Sequence, residues 1–174
     1  MRGEPDINEA MTTEIKIQVS EKELQRLLDW VSRLDNKFVL VLGIDTGMLG
    51  VVASLFPRPD LWTWPMIVVA ACSALLLAVC FGFAAYGIYP QTKGPSQSLI
   101  YFASIARKSF KEYKRDFSKQ TSEEYLDDLL EQCHQNAKIT DSKFSRLKWA
   151  YRMIFIALAP WVATIYLFKS VHTP

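Results

Sequence analysis

From Pro65 to Tyr89 the chain carries no charged side chain, and its apolar residues fall on every side of a helix rather than along one stripe. A bilayer core is about 30 Å thick, and a helix needs roughly 20 apolar residues to cross it. A buried helix of a soluble bundle keeps a polar side, and this run keeps none, so a membrane span is the reading that fits. Two further runs reach the required length. Phe38 to Phe56 is interrupted by a single charge, Asp45, and stops at Pro57-Arg58-Pro59. Trp149 to Phe168 has Arg152 near its start and Lys169 after its end. Trp62, Trp64, Tyr86, Tyr89 and Trp149 stand at the edges of the runs, where aromatic rings suit the membrane–water interface.

Lys and Arg set the orientation of such spans. Arg2, Lys16, Lys22, Arg26, Arg33 and Lys37 precede the first span, and Arg58 alone lies between the first and second. The long connection between the second and third holds many, from Lys93 through Arg107, Lys108 and Lys119 to Arg146 and Lys148. The N-terminus and the long connection are therefore expected in the cytoplasm, and the C-terminal tail outside. The start of the chain is polar and acidic, without the apolar core of a signal peptide, so residues 1–19 are expected to form a disordered tail.

Between the spans the pattern is helical. Ser20-Glu21-Lys22-Glu23 has the form of a capping box, and Leu24, Leu27, Leu28, Val31 and Leu34 follow at helical spacing. No breaker separates them from Phe38, so one helix is expected to run from 20–37 in the cytoplasm into the span at 38–56. Two more capping boxes open at Ser109 (with Glu112) and Thr121 (with Glu124). The first begins a short helix ending near Lys119. From the second, Tyr125, Leu129, Cys133, Ala137, Thr140, Phe144 and Leu147 form a stripe, and no Pro or Gly intervenes before Pro160. The fold expected is an all-α integral membrane protein. Its spans are 38–56, 65–89 and 149–168, with a cytoplasmic helical sensor region at 90–148 and long helices continuous from cytoplasm into membrane. An echo, Asp35-Asn36-Lys37-Phe38 and Asp141-Ser142-Lys143-Phe144, marks the two helices that enter the bilayer.

Composition removes several function classes. A formal net charge of +2 is too small for a DNA or RNA partner. The three cysteines do not form a disulfide framework, and free thiols suit a reducing compartment. There are two histidines. Cys133 and His134 are adjacent, about 100° apart on a helix, and cannot serve as nucleophile and base. Glu131 and His134 have the spacing of half a bundle metal site, and no second half exists. No phosphate loop is present, so neither an enzyme, a metal nor a cofactor is expected.

Other positions suggest sites. Asp45 lies mid-span, where an unpaired charge costs several kcal/mol. It either pairs, with Arg152 the nearest candidate, or helps to gate or line a conducting path. Gly43, Gly47, Gly50 and Ser54 form a small-residue face pointing nearly opposite to Asp45. If neither face meets lipid, helices must pack on both sides, and a homo-oligomer is expected. In the cytoplasmic part Tyr101, Phe102, Arg107, Lys108, Asp141, Lys143 and Arg146 combine aromatic faces with cations that suit a base and a phosphate, and Lys37 joins them through the echo.

The order of these motifs resembles a known family. Leu99-Ile100-Tyr101-Phe102-Ala103-Ser104-Ile105-Ala106 precedes Ser109, Glu112 and Tyr113. Then come Thr121-Ser122-Glu123-Glu124-Tyr125, Gln132 and Ile139-Thr140-Asp141-Ser142-Lys143-Phe144. The first span opens with Leu34-Asp35-Asn36-Lys37 and carries Leu42-Gly43-Ile44-Asp45. From about Ser20 to Phe168 this resembles the transmembrane effectors of bacterial Pycsar anti-phage defence, although Ala103 stands where the family pattern would place a glycine. The resemblance implies an effector in the bacterial inner membrane that works beside a pyrimidine nucleotide cyclase. Cyclic CMP or cyclic UMP would activate it on infection, and membrane impairment would then end growth before phage release. It also implies a ligand site drawing on Tyr101, Phe102, Arg107, Asp141, Lys143, Arg146 and Lys37, with lipid and further copies of the chain as partners. Two alternatives stay open: a passive membrane scaffold that recruits a soluble partner, and an effector of the same kind answering a cyclic di- or trinucleotide.

Overall fold

A computed structural model of the protein describes residues 12–90, 94–95 and 97–171. Among these residues there is no strand. Five helices follow in order: α1 (Thr13–Ser54), α2 (Trp64–Ile88), α3 (Phe102–Ile105), α4 (Phe110–Lys119) and α5 (Ser122–Ser170), with a single 3-10 turn at Pro59–Leu61. α1, α2 and α5 each contain a stretch long and apolar enough to cross a membrane. The helices group into two compact units. One, the polar unit, takes Met1–Trp30 and Gln91–Ile139; the other, the apolar unit, takes Val31–Pro90 and Thr140–Pro174.

The long helices are unbroken across the junctions where the sequence places no Gly or Pro, and α5 continues through Pro160. α1 has 42 residues and α5 has 49, so α5 extends about 73 Å at 1.5 Å per residue. α1 begins at Thr13 rather than at Ser20. Ser20 therefore sits inside the helix, buried, and its carbonyl accepts from the Cys133 thiol at 3.4 Å. The reason is local: nothing between Thr13 and Ser20 disfavours a helix, so the helix has no need of a cap at Ser20. Of the expected disordered tail, residues 1–11 lie outside the described residues. The other two boxes form. Ser109 Oγ accepts from Glu112 N while Glu112 Oε2 accepts from Ser109 N, and Thr121 and Glu124 repeat the exchange.

The core of the apolar unit is made of threes and fours. Leu34, Phe38, Val41 and Met48 come from α1, Leu77, Cys80 and Ala84 from α2, and Leu147, Ala150, Ile154 and Ala157 from α5. Small residues on α2 and α5 let the backbones approach. A Cβ on Gly87 would run into the Phe38 ring. Trp161 Nε1 donates to Met48 O at 2.9 Å, and Phe56, Trp62 and Phe168 cluster with centroids 5.0–6.0 Å apart beside the Pro-rich turn.

The buried stripe of α5 differs from the one its apolar residues suggest. Phe144 and Ala137 are exposed, whereas Gln132 and Lys143 are buried. Each polar residue has a partner that offsets its desolvation: Gln132 meets Ser98 in the polar unit, and Lys143 meets Asp35 in the apolar unit.

Candidate functional site

The segment leading into α3 is tied down by side chains. Ser98 Oγ accepts from Ile100 N (3.1 Å), Tyr101 N (2.8 Å) and Gln132 Nε2 (3.2 Å). Asp128 Oδ2 accepts from Leu99 N at 2.8 Å, and Ser104 Oγ donates to Pro95 O. Gly94 lies against the Tyr101 ring, where a Cβ would collide. These bonds hold one wall of a cavity of about 820 Å³, whose opposite walls are the ends of α4 and the first turns of α5. That is the size of a small-molecule site.

The cavity has mixed charge. Lys108 and Lys119 face Asp116, Glu124, Asp127, Asp128 and Glu131 across it. Lys108 Nζ donates to Asp116 at 3.1 Å. That bond, with help from Arg115, holds the Asp116 carboxyl below the usual range. Asp128 Oδ1 is buried and has no hydrogen-bond partner among the described residues. A small anion finds attraction only beside the lysines. Groups with N–H donors, such as a nucleobase edge, meet acceptors along α5. Elsewhere in the unit Tyr125 donates to Glu21 at 2.8 Å, and burial followed by that bond raises its phenol. Burial also raises the Cys133 thiol, with Glu23 adding to it.

Tyr101, Phe102 and Arg107 belong to the polar unit. The Tyr101 and Phe102 rings meet edge to face at 4.9 Å, with Phe102 and Arg107 exposed. None of the three lines the cavity. Lys37, Asp141, Lys143 and Arg146 belong to the apolar unit. Lys37 and Asp141 are exposed, and the Arg146 guanidinium lies 4.2 Å from the centre of the Tyr86 ring. Lys143 is 3% exposed and its ammonium is held by Asp35. A ligand phosphate at Lys143 would have to displace Asp35. Ser98, Lys119 and Asp128 were not singled out from the sequence. One signal for Asp128 was there: it stands four residues before Gln132, beside the apolar Leu129, as a polar residue on an inward-facing turn.

In the apolar unit Asp45 takes a place in the core stripe of α1 between Val41 and Met48 and is fully buried. The expected pairing with Arg152 is not made. Arg152 lies on the outer face of α5, 4.8 Å from the Trp149 ring, because it stands about 200° around the helix from the buried Ala150. Gly43, Gly47 and Gly50 do point away from Asp45, and a Cβ on any of them would meet nothing within 4 Å.

Neither a curated protein nor a solved structure matches the chain. A family model described as the Pycsar effector protein domain, PycTM, matches residues 19–168. The match takes in all three apolar helices, the tied segment before α3 and the cavity walls, and so the chain belongs to the PycTM family of Pycsar effector proteins.

Proposed function

We propose that the protein senses a cyclic pyrimidine mononucleotide, cyclic CMP or cyclic UMP, in its polar unit and impairs the bacterial inner membrane through its apolar helices. Family membership makes it a membrane effector of anti-phage defence, tied to cyclic pyrimidine signalling. The distribution of Lys and Arg supports a polar unit in the cytoplasm and a C-terminus outside. There the ligand meets the cavity. Lys119 takes the single phosphate charge, the carboxylates of α5 accept from the base, and Tyr101, Phe102 and Arg107 stand close in sequence to close over it.

The observation that carries this reading is the continuity of α5. Its first turns, with Glu124, Asp127, Asp128 and Glu131, line the cavity, and its later turns, with Ala150, Ile154 and Ala157, belong to the core of the apolar unit. A ligand that binds one setting of α5 more tightly than another shifts the balance of states by that difference in affinity. The open glycine face of α1 supports a homo-oligomer, since close helix contacts in lipid use such faces.

Titration of the detergent-purified protein with cyclic CMP, cyclic UMP and a cyclic dinucleotide in parallel tests the reading. Saturable binding of one cyclic pyrimidine mononucleotide, weakened in Lys119→Ala, is expected. Binding of the dinucleotide alone would assign a different signal, and binding of none would leave a membrane scaffold as the better account.

A further inference from the structure

The apolar unit contains two side chains that its packing does not explain. Asp45 is 0% exposed, and among the described residues neither of its carboxyl oxygens meets a partner in hydrogen-bond geometry. Ser73 of α2 is 1% exposed, and its Oγ also has none. Cys80 lies beside Asp45 and donates its thiol to Ala150 O at 3.4 Å. Ser73 is two turns along α2 from Cys80, on the same face and about 10 Å away along the axis. The hydrophobic core of the same unit includes Phe38, Val41 and Met48 on α1, Leu77 on α2 and Ile154 on α5.

Among the described residues no basic side chain pairs with the acid. Lys143 is occupied by Asp35, and Arg152 lies over Trp149 on the outer face. A leucine at position 45 would fill the stripe without desolvating a carboxyl group. A buried ionisable group that neither packs better than a hydrocarbon nor pairs is costly within a span, and such groups mark paths for ions or protons.

We propose that Asp45 is a binding site for a proton or a monovalent cation, and that the activated protein conducts cations past it, with Cys80 and Ser73 as the next polar stations along α2. This rests on the proposed function and specifies the membrane damage as a selective leak rather than a rupture. The sign of the ion follows from the lining: the one ionisable oxygen donor set is a carboxyl, its neighbours are a neutral thiol and a neutral hydroxyl, and an anion would meet no positive group. The resting bundle is closed around Asp45. Activation admits water to it, and the carboxyl then exchanges its cation with that water.

The test uses the full chain in proteoliposomes, with a trapped pH dye, imposed potassium and sodium gradients, and carboxyfluorescein as a marker of rupture. Flux is read with and without cyclic CMP and cyclic UMP for the native chain, Asp45→Asn and Ser73→Ala, and nucleotide affinity is measured on the same samples. The proposal expects cation flux without carboxyfluorescein release, cut by about tenfold or more in Asp45→Asn and less in Ser73→Ala, at unchanged nucleotide affinity. The proton and alkali-cation readouts separate the two candidate ions. Flux that Asp45→Asn leaves intact, or simultaneous release of carboxyfluorescein, overturns the conduction site while nucleotide binding keeps the sensor reading. Basal flux that Asp45→Asn lowers, with no nucleotide bound, keeps the site and removes the sensor. Absence of flux under every condition overturns the site. Asp45→Leu serves as the folding control: it should be at least as heat-stable as the native chain and equally blocked.

Discussion

The two units treat their buried polar groups differently. In the polar unit Ser98 accepts three hydrogen bonds, Gln132 donates to it, and Asp128 uses one carboxyl oxygen to hold Leu99 N. The buried polar atoms there tie a loop against a cavity, and Asp128 Oδ1 is the exception among the described residues. In the apolar unit Lys143 is paired with Asp35, but Asp45 and Ser73 make no hydrogen bond among the described residues, and much of the packing is done by hydrocarbon and by tight contacts such as Gly87 on Phe38. A satisfied polar group is an element of structure. An unsatisfied one lowers stability, and selection keeps it where something other than stability needs it.

Four variants or conditions sharpen that contrast. Phe38→Ala removes one of the two fully buried phenylalanines of the apolar unit and should cost about 3–5 kcal/mol, read as a large drop in thermal stability in detergent. Ser98→Ala leaves Tyr101 N, Ile100 N and Gln132 in search of partners. It should cost about 2 kcal/mol, with faster amide exchange at Ile100 and Tyr101 and weaker nucleotide binding. Asp45→Leu should act in the opposite direction, gaining about 1–2 kcal/mol by replacing an unpartnered carboxyl with hydrocarbon. If Asp45→Leu is less stable than the native chain, the acid has a structural partner and the contrast between the units fails.

The smallest effect is in pH. Hydrogen bonds from the Ser109 hydroxyl and then its backbone N–H hold the Glu112 carboxyl below the usual glutamate range. A lowered value means the cap stabilises α4 above the unfolded glutamate value, near about 4.3. That stabilisation is lost as pH falls through the folded value. Amide exchange at the first turn of α4 should therefore rise in acid below that range, and Glu112→Gln should flatten the profile.

Much of this architecture is written in one dimension. The uncharged run after Pro65, the unbroken helices ending at Ser54 and Ser170, and the capping boxes at Ser109 and Thr121 depend on near neighbours, and near neighbours are visible in a sequence. The site is a matter of which faces meet. The apolar stripe drawn through Ala137 and Phe144 missed the inward turn of Gln132 and Lys143, because a polar residue becomes acceptable in a core only when a distant partner, Ser98 or Asp35, is brought to it. Arg152 looked like the counter-ion of Asp45 when depth alone was counted, and the rotation of α5 turned it outward.

Hydropathy and helical period, which are local, thus determined by themselves that this chain has three apolar helices long enough to cross a bilayer and two that continue beyond it. Partner identity was decided by tertiary structure: Asp35 for Lys143, the ring of Tyr86 for Arg146, the Cys80 thiol rather than a cation beside Asp45, and a cavity walled by residues from Pro95 to Glu131. The physical reason is that burial, pairing and desolvation are properties of surfaces in contact, and helix rotation, which sets those contacts, is chosen by the packing of the whole bundle.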